Sequence, residues 1–272
     1  MNSTITMLGT GNAMCTRIYN TCFFLRTPGG AVLVDAGGGN GIFRQLRRAH
    51  IDYPEIRNLI ITHCHTDHIM GVVWLIRKIS PLIYKGKYPA PFTIYCHDLA
   101  AEALRTMCRL MIPDKVTSAI DDTIILREVK SGEQVTIYDM QVTFFDIAST
   151  KAKQFGFRAI LPDGVTLTCL GDEPYQECNE AYARNVDWLL CEAFCLYRHR
   201  QQFNPYEKNH STALDAGRLA QTLGVKNLLL YHTEDRYLSE RRPSYTAEAA
   251  QHFTGRIHVP DDLETIQITK SE

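Results

Sequence analysis

Hydrophobic and polar positions along the chain change rhythm several times, and each change marks a predicted element. Ile5–Leu8, Cys22–Arg26 and Ala31–Val34 are short apolar runs that read as strands, with Pro28-Gly29-Gly30 as the turn between the last two. Gly41–Ala49 has helical spacing, Asn58–Thr62 is a buried strand, and His68–Ile79 is a helix with Pro81 expected just past its end. Phe92–Tyr95 predicts a strand and Leu99–Met111 a helix. Glu133–Ile137, Gln141–Asp146, Phe155–Leu161 and Val165–Leu170 predict antiparallel strands, with Asp163-Gly164 as a turn. Trp188–Cys191 and Asn227–Tyr231 follow as strands, Thr212–Leu223 and Thr246–Phe253 as helices, and Gly224 is placed to cap the first of these. A meander followed by strand–helix units thus occurs in both halves, about 1–110 and 120–272. Two mixed sheets face to face with helices outside satisfy that pattern.

Composition narrows the choice. A chain of 272 residues with 45% hydrophobic content can bury a large core, and a single domain is the default. Net charge is -1, so no global field draws it to nucleic acid or membrane. No signal-peptide pattern opens the sequence, and no apolar run approaches the ~18 residues of a membrane helix. The cysteine count is 9, with no Cys-x-x-Cys pair, which predicts reduced thiols and a cytoplasmic setting.

Chemistry concentrates at Thr62-His63-Cys64-His65-Thr66-Asp67-His68, directly after the predicted strand. Imidazoles and a carboxylate this close, on a loop where side chains converge, form a donor set for zinc and related metals. A solvated histidine-rich turn is the plain alternative. Asp172, after Val165–Leu170, and His232, after Leu228–Tyr231, also stand at strand ends. Each alone could be an ordinary turn residue or a satisfied histidine; together with the cluster they read as further ligands.

The His-x-His-x-Asp-His segment, Asp172 and His232 resemble the metallo-β-lactamase superfamily, and within it ribonuclease Z and its phosphodiesterase relatives. Leu8-Gly9-Thr10-Gly11-Asn12, Leu33-Val34-Asp35-Ala36-Gly37-Gly38-Gly39 and Asn209-His210-Ser211-Thr212 are similar to that group's other motifs. The resemblance implies an α/β fold, the metallo-β-lactamase-like αββα sandwich, and a hydrolase with two divalent metal ions. Zinc is the expected metal, with manganese or iron as alternatives. His63 and His65 would hold the first ion, Asp67, His68 and His232 the second, and Asp172 would bridge them. Asp67 would also orient a metal-activated hydroxide, His210 would contact a phosphoryl oxygen or protonate the leaving group, and Glu192 would orient His210.

The sequence departs from the family in two places. The group supplies another histidine to the first site from a strand end in the middle of the chain, yet no histidine lies between His97 and His199. Ala148 is the expected occupant of that position, with Thr150 as the alternative, so partial occupancy of the first site and impaired activity are expected. The residue is either a natural divergence or an engineered replacement. Second, the glycine- and proline-rich arm that grips transfer RNA is missing between Asp172 and Glu192, and Ala13–Arg17 lacks the expected proline–lysine pair. A small-molecule or nucleotide-type phosphoester is therefore the expected substrate, rather than transfer RNA. Phosphodiester hydrolysis leads; a lactone or thioester hydrolase and a non-catalytic metal-binding relative remain as alternatives. Natural substrate and oligomeric state, a homodimer included, stay open.

Overall fold

The computed structural model describes residues 2–270. Its strands are β1 (Ser3–Gly9), β2 (Cys22–Thr27), β3 (Gly30–Val34), β4 (Asn58–Ile60), β5 (Phe92–Cys96), β6 (Ile124–Glu128), β7 (Gln134–Ile137), β8 (Met140–Asp146), β9 (Phe155–Ile160), β10 (Thr166–Cys169), β11 (Trp188–Glu192), β12 (Asn227–Tyr231), β13 (Arg256–His258) and β14 (Thr265–Ile268). They form two mixed seven-stranded sheets, ordered β14-β1-β2-β3-β4-β5-β6 and β13-β12-β11-β10-β9-β8-β7. In each sheet antiparallel pairing gives way to parallel pairing, from β3 onward in the first and from β10 onward in the second.

Parallel strands need crossovers, and helices supply several of them. The longer ones are α1 (Gly41–Arg48), α2 (Thr66–Tyr84) and α3 (Asp98–Met111) against the first sheet; after the short α4 (Asp114–Thr117), α5 (Glu180–Ala183) and α6 (Arg200–Phe203) come α7 (Ala213–Leu223) and α8 (Leu238–Ala249) on the second. Alternation along the strands divides the apolar residues. Phe23 and Leu25 face the inter-sheet core with Phe144, Phe157, Trp188 and Leu229, while Cys22 and Phe24 face the α1–α3 layer. Leu228 and Leu230 point the other way, toward α7 and α8. Strands buried on both faces explain the unbroken apolar runs.

Three differences from the sequence reading have physical causes. The second helix starts at Thr66 and continues through Pro81 to Tyr84. Pro81 removes one backbone bond, but its ring already fixes a helical φ, and Lys85 N–H still reaches the Pro81 carbonyl at 3.2 Å. The last helix spans Leu238–Ala249 instead of Thr246–Phe253, because its buried face carries Arg241 and Glu248 beside Tyr245 and hides the apolar period. Strands β6, β13 and β14 were unforeseen; β14 returns the C-terminal segment to the edge of the first sheet, paired with β1.

Candidate metal centre

The parallel strands of both sheets deliver their C-terminal ends to one rim, the place where open α/β sheets gather ligands. His63 follows β4, Asp172 follows β10, Glu192 ends β11 and His232 follows β12. The chain turns sharply there: Asp35, Ala148 and His232 have φ of 53°, 58° and 57°, and Gly171 has 79°. Such left-handed residues are uncommon outside glycine and cluster at functional positions. His65 stands immediately before α2, whose first turn carries Asp67 and His68. Gly71, one turn on, lets that helix press against the loop after β3. A Cβ there would lie 1.9 Å from the Ala36 carbonyl oxygen, and Gly71 N–H donates to Gly37 at 2.8 Å.

These elements assemble two donor sets that share Asp172. Asp67, His68, Asp172 and His232 form one; His63, His65 and Asp172 form the other. In the four-donor set, His68 Nε2 lies 3.3 Å from Asp67 Oδ2 and 3.4 Å from Asp172 Oδ2, and His232 Nε2 lies 3.5 and 3.4 Å from the same oxygens. A tetrahedral ion with bonds of about 2.0–2.1 Å needs edges of roughly 3.3–3.4 Å between its ligands. The spacing therefore fits a small divalent cation. Burial agrees: His68 Nε2 and both ring nitrogens of His232 are buried with no hydrogen-bond partner, the condition that a cation would relieve.

The three-donor set is less complete. His63 Nε2 is 2.9 Å from His65 Nδ1 and 3.6 Å from Asp172 Oδ2. Ala148, the expected place of the absent ligand, is exposed and its N–H donates to Asp146 Oδ1 at 2.8 Å. Thr150 accepts from Asn209 Nδ2 at 3.1 Å.

Electrostatics hold the carboxylates ready. Burial would raise Asp172, yet His63, His68 and His232 outweigh it and keep its pKa well below the usual range. Burial pushes His63 down, so that ring is neutral, the form that ligates. Asp35 supports His68 from behind: its carboxylate lies 2.7 Å from His68 Nδ1 and accepts from Thr62 N–H at 2.9 Å and Thr62 Oγ1 at 2.7 Å.

His210 and Glu192 stand beside His232, and all three offer donor atoms within reach of one another. His210 stacks on Phe194 at 4.8 Å between ring centroids, and its Nδ1 is 3.7 Å from Glu192 Oε2. That separation is proximity without a hydrogen bond; the other Glu192 oxygen accepts from Ser211 N–H. Burial, then His232, lowers His210 to about 3, and burial raises Glu192 well above its ordinary value.

All eight residues that the sequence nominated thus lie at one rim. Two residues went unnoticed. Gln154 contacts both His63 and Asp172, and nothing in Thr150-Lys151-Ala152-Lys153-Gln154 signals it. Buried Glu173 joins three loops, accepting from Ser149 Oγ at 2.8 Å and Asn209 Nδ2 at 2.7 Å; its place beside Asp172 was the available hint.

Known proteins resemble this chain in sequence and in fold. A ribonuclease Z of Methanothermobacter thermautotrophicus is 27% identical over 315 aligned positions, covering 97% of this chain and 96% of its own. The metallo-β-lactamase fold protein YhfI from Bacillus subtilis superposes with a TM-score of 0.80 at 17% identity, over 98% of this chain and 100% of that one. Human tRNase Z, short form, gives 0.72 at 21% identity, over 98% and 99%. The class is therefore the metallo-β-lactamase-fold hydrolases, in their ribonuclease Z-like branch. Within that class the profile of the Anti-Pycsar protein Apyc1 family matches residues 3–252, and the chain belongs to that family.

Proposed function

We propose that the protein hydrolyses phosphodiester bonds at this rim, with a small or nucleotide-type substrate. The observation that carries the reading is the four-donor set Asp67, His68, Asp172 and His232, whose unpartnered ring nitrogens and spacing suit a divalent cation. Zinc suits the imidazole and carboxylate donors best, and manganese or iron are the alternatives. When bound, such cations supply Lewis acidity and lower the pKa of water at the site.

The chain's own residues do the rest. Asp67 lies 3.3 and 3.5 Å from His68 and His232, and its carboxylate is placed to accept a proton-bearing oxygen as well as to ligate. His210, held flat by Phe194 and three residues before α7, is placed to donate a hydrogen bond to a phosphoryl oxygen or to the leaving group. Glu192 fixes the backbone N–H of Ser211 and thereby the direction of His210. Asp172 to Glu192 contains a 3-10 turn at Glu177–Asn179, the short α5 and the strand β11, with no extended arm, which favours a small substrate over transfer RNA.

Among the described residues no helix is long and apolar enough to cross a membrane.

A panel of bis-aryl phosphates and lactones, with the protein loaded with zinc or manganese, tests the proposal. Turnover of the phosphodiesters that falls at least tenfold in His210→Ala supports it. Turnover of the lactones alone refutes it in favour of a carboxylic-ester hydrolase.

A further inference from the structure

We infer that Gln154 is a positioning residue that turns Asp172 into a one-oxygen bridge between the two donor sets. The inference rests on the metal-centre reading above and names a residue that acts through its ligands.

Gln154 lies just before β9 and is 1% exposed. Its backbone forms an isolated antiparallel bridge with His63, so the side chain starts from a fixed place beside the cluster. The amide then engages Asp172 twice. Oε1 accepts from Asp172 N–H at 3.2 Å, and Nε2 donates to Asp172 Oδ1. Only this orientation of the amide serves both contacts, because a backbone N–H can only donate and a carboxylate can only accept. The same Nε2 lies 2.8 Å from His63 Nδ1, whose other neighbour is Thr62 Oγ1 at 3.0 Å.

With Oδ1 held, Asp172 presents Oδ2 to the site. That single atom lies 3.6 Å from His63 Nε2, and 3.4 Å from both His68 Nε2 and His232 Nε2. The neighbouring glycine makes the clamp possible. Gly171 has φ of 79°, and a Cβ there would sit 2.5 Å from Gln154 Oε1. Tyr231 hydroxyl donates to the Gly171 carbonyl, a second hydrogen bond that holds this loop. An unclamped carboxylate could rotate and divide its oxygens between the sets. Partners that orient ligands in this way typically contribute 10–100-fold to metal affinity.

The test is a chelator-competition titration with zinc on the unaltered full chain, on Gln154→Met and on Gln154→Asn. Methionine matches glutamine in length but donates nothing. Expected are weakening of both binding steps by about 10–100-fold in Gln154→Met and an intermediate loss in Gln154→Asn. Both steps should move, since the shared oxygen belongs to both sets. Thermal melting of the metal-free proteins provides the folding control, and Gln154→Asn keeps the test open should the methionine variant not fold. Affinities within threefold of the unaltered chain overturn the inference, as does loss at one step only. Absence of zinc binding by the unaltered chain would overturn the metal-centre reading itself, which separates the two failures.

Discussion

Replacing Asp35 tests how far the centre depends on a residue that touches no ion. Its carboxylate serves three groups, Thr62 N–H, Thr62 Oγ1 and His68 Nδ1, all within 2.9 Å and all buried. In Asp35→Ala the hydroxyl of Thr62 can turn toward His63 Nδ1, 3.0 Å away. The Thr62 N–H and the His68 ring have no substitute, and each buried orphan costs about 1–3 kcal/mol. The φ of 53° adds about 1–2 kcal/mol for an alanine in left-handed backbone. The sum is roughly 3–8 kcal/mol of metal-free stability, or a fall in Tm of at least about 6 °C for a chain of this size. Asp35→Asn tolerates the backbone and keeps one acceptor, so its stability loss should stay within about 1–3 kcal/mol. Both variants lose the carboxylate behind His68, and affinity at the four-donor set should fall about 10–100-fold. Urea unfolding of the metal-free proteins and chelator competition measure the two effects separately. An alanine variant within about 1 kcal/mol of the original, or an asparagine variant with unchanged metal affinity, would refute the reasoning.

Two further outcomes are expected. Ala148→His should raise metal content, measured by plasma mass spectrometry, from fewer than two ions per chain to close to two, because histidine tolerates the left-handed φ of 58° at this strand end; equal content in both proteins would show that position 148 supplies no ligand. Arg241→Met should cost about 2–4 kcal/mol in urea unfolding, since the 2% exposed guanidinium donates to Thr10, Thr233, Pro260 and Asp261, and only Asp261 has ready access to water; a loss below about 0.5 kcal/mol would contradict that account.

The sequence was most informative where one physical requirement acts alone. Apolar runs such as Leu228-Leu229-Leu230 announce strands covered on both faces, and imidazoles packed behind Ile60 announce a donor cluster. It was least informative where two requirements compete. Buried Arg241 and Glu248 satisfy hydrogen bonds at positions that periodicity expects to be apolar, which shifted α8 by a full eight residues at its start. Gln154 is another such case. Its role depends on a backbone bridge to His63 and a contact 18 residues ahead, neither of which leaves a local pattern.

The rim draws its donors from both halves of the chain, and this has a consequence for synthesis. A ribosome delivers the N-terminal half first, so His63, His65, Asp67 and His68 exist long before His232 and the β14 strand that completes the first sheet. A nascent chain can hold histidines in a loop, but it cannot close the four-donor set until about 160 more residues have been added, by the difference between positions 68 and 232. Capture of a cation at that set is therefore a late event, and a loaded centre marks a chain whose two sheets have already met.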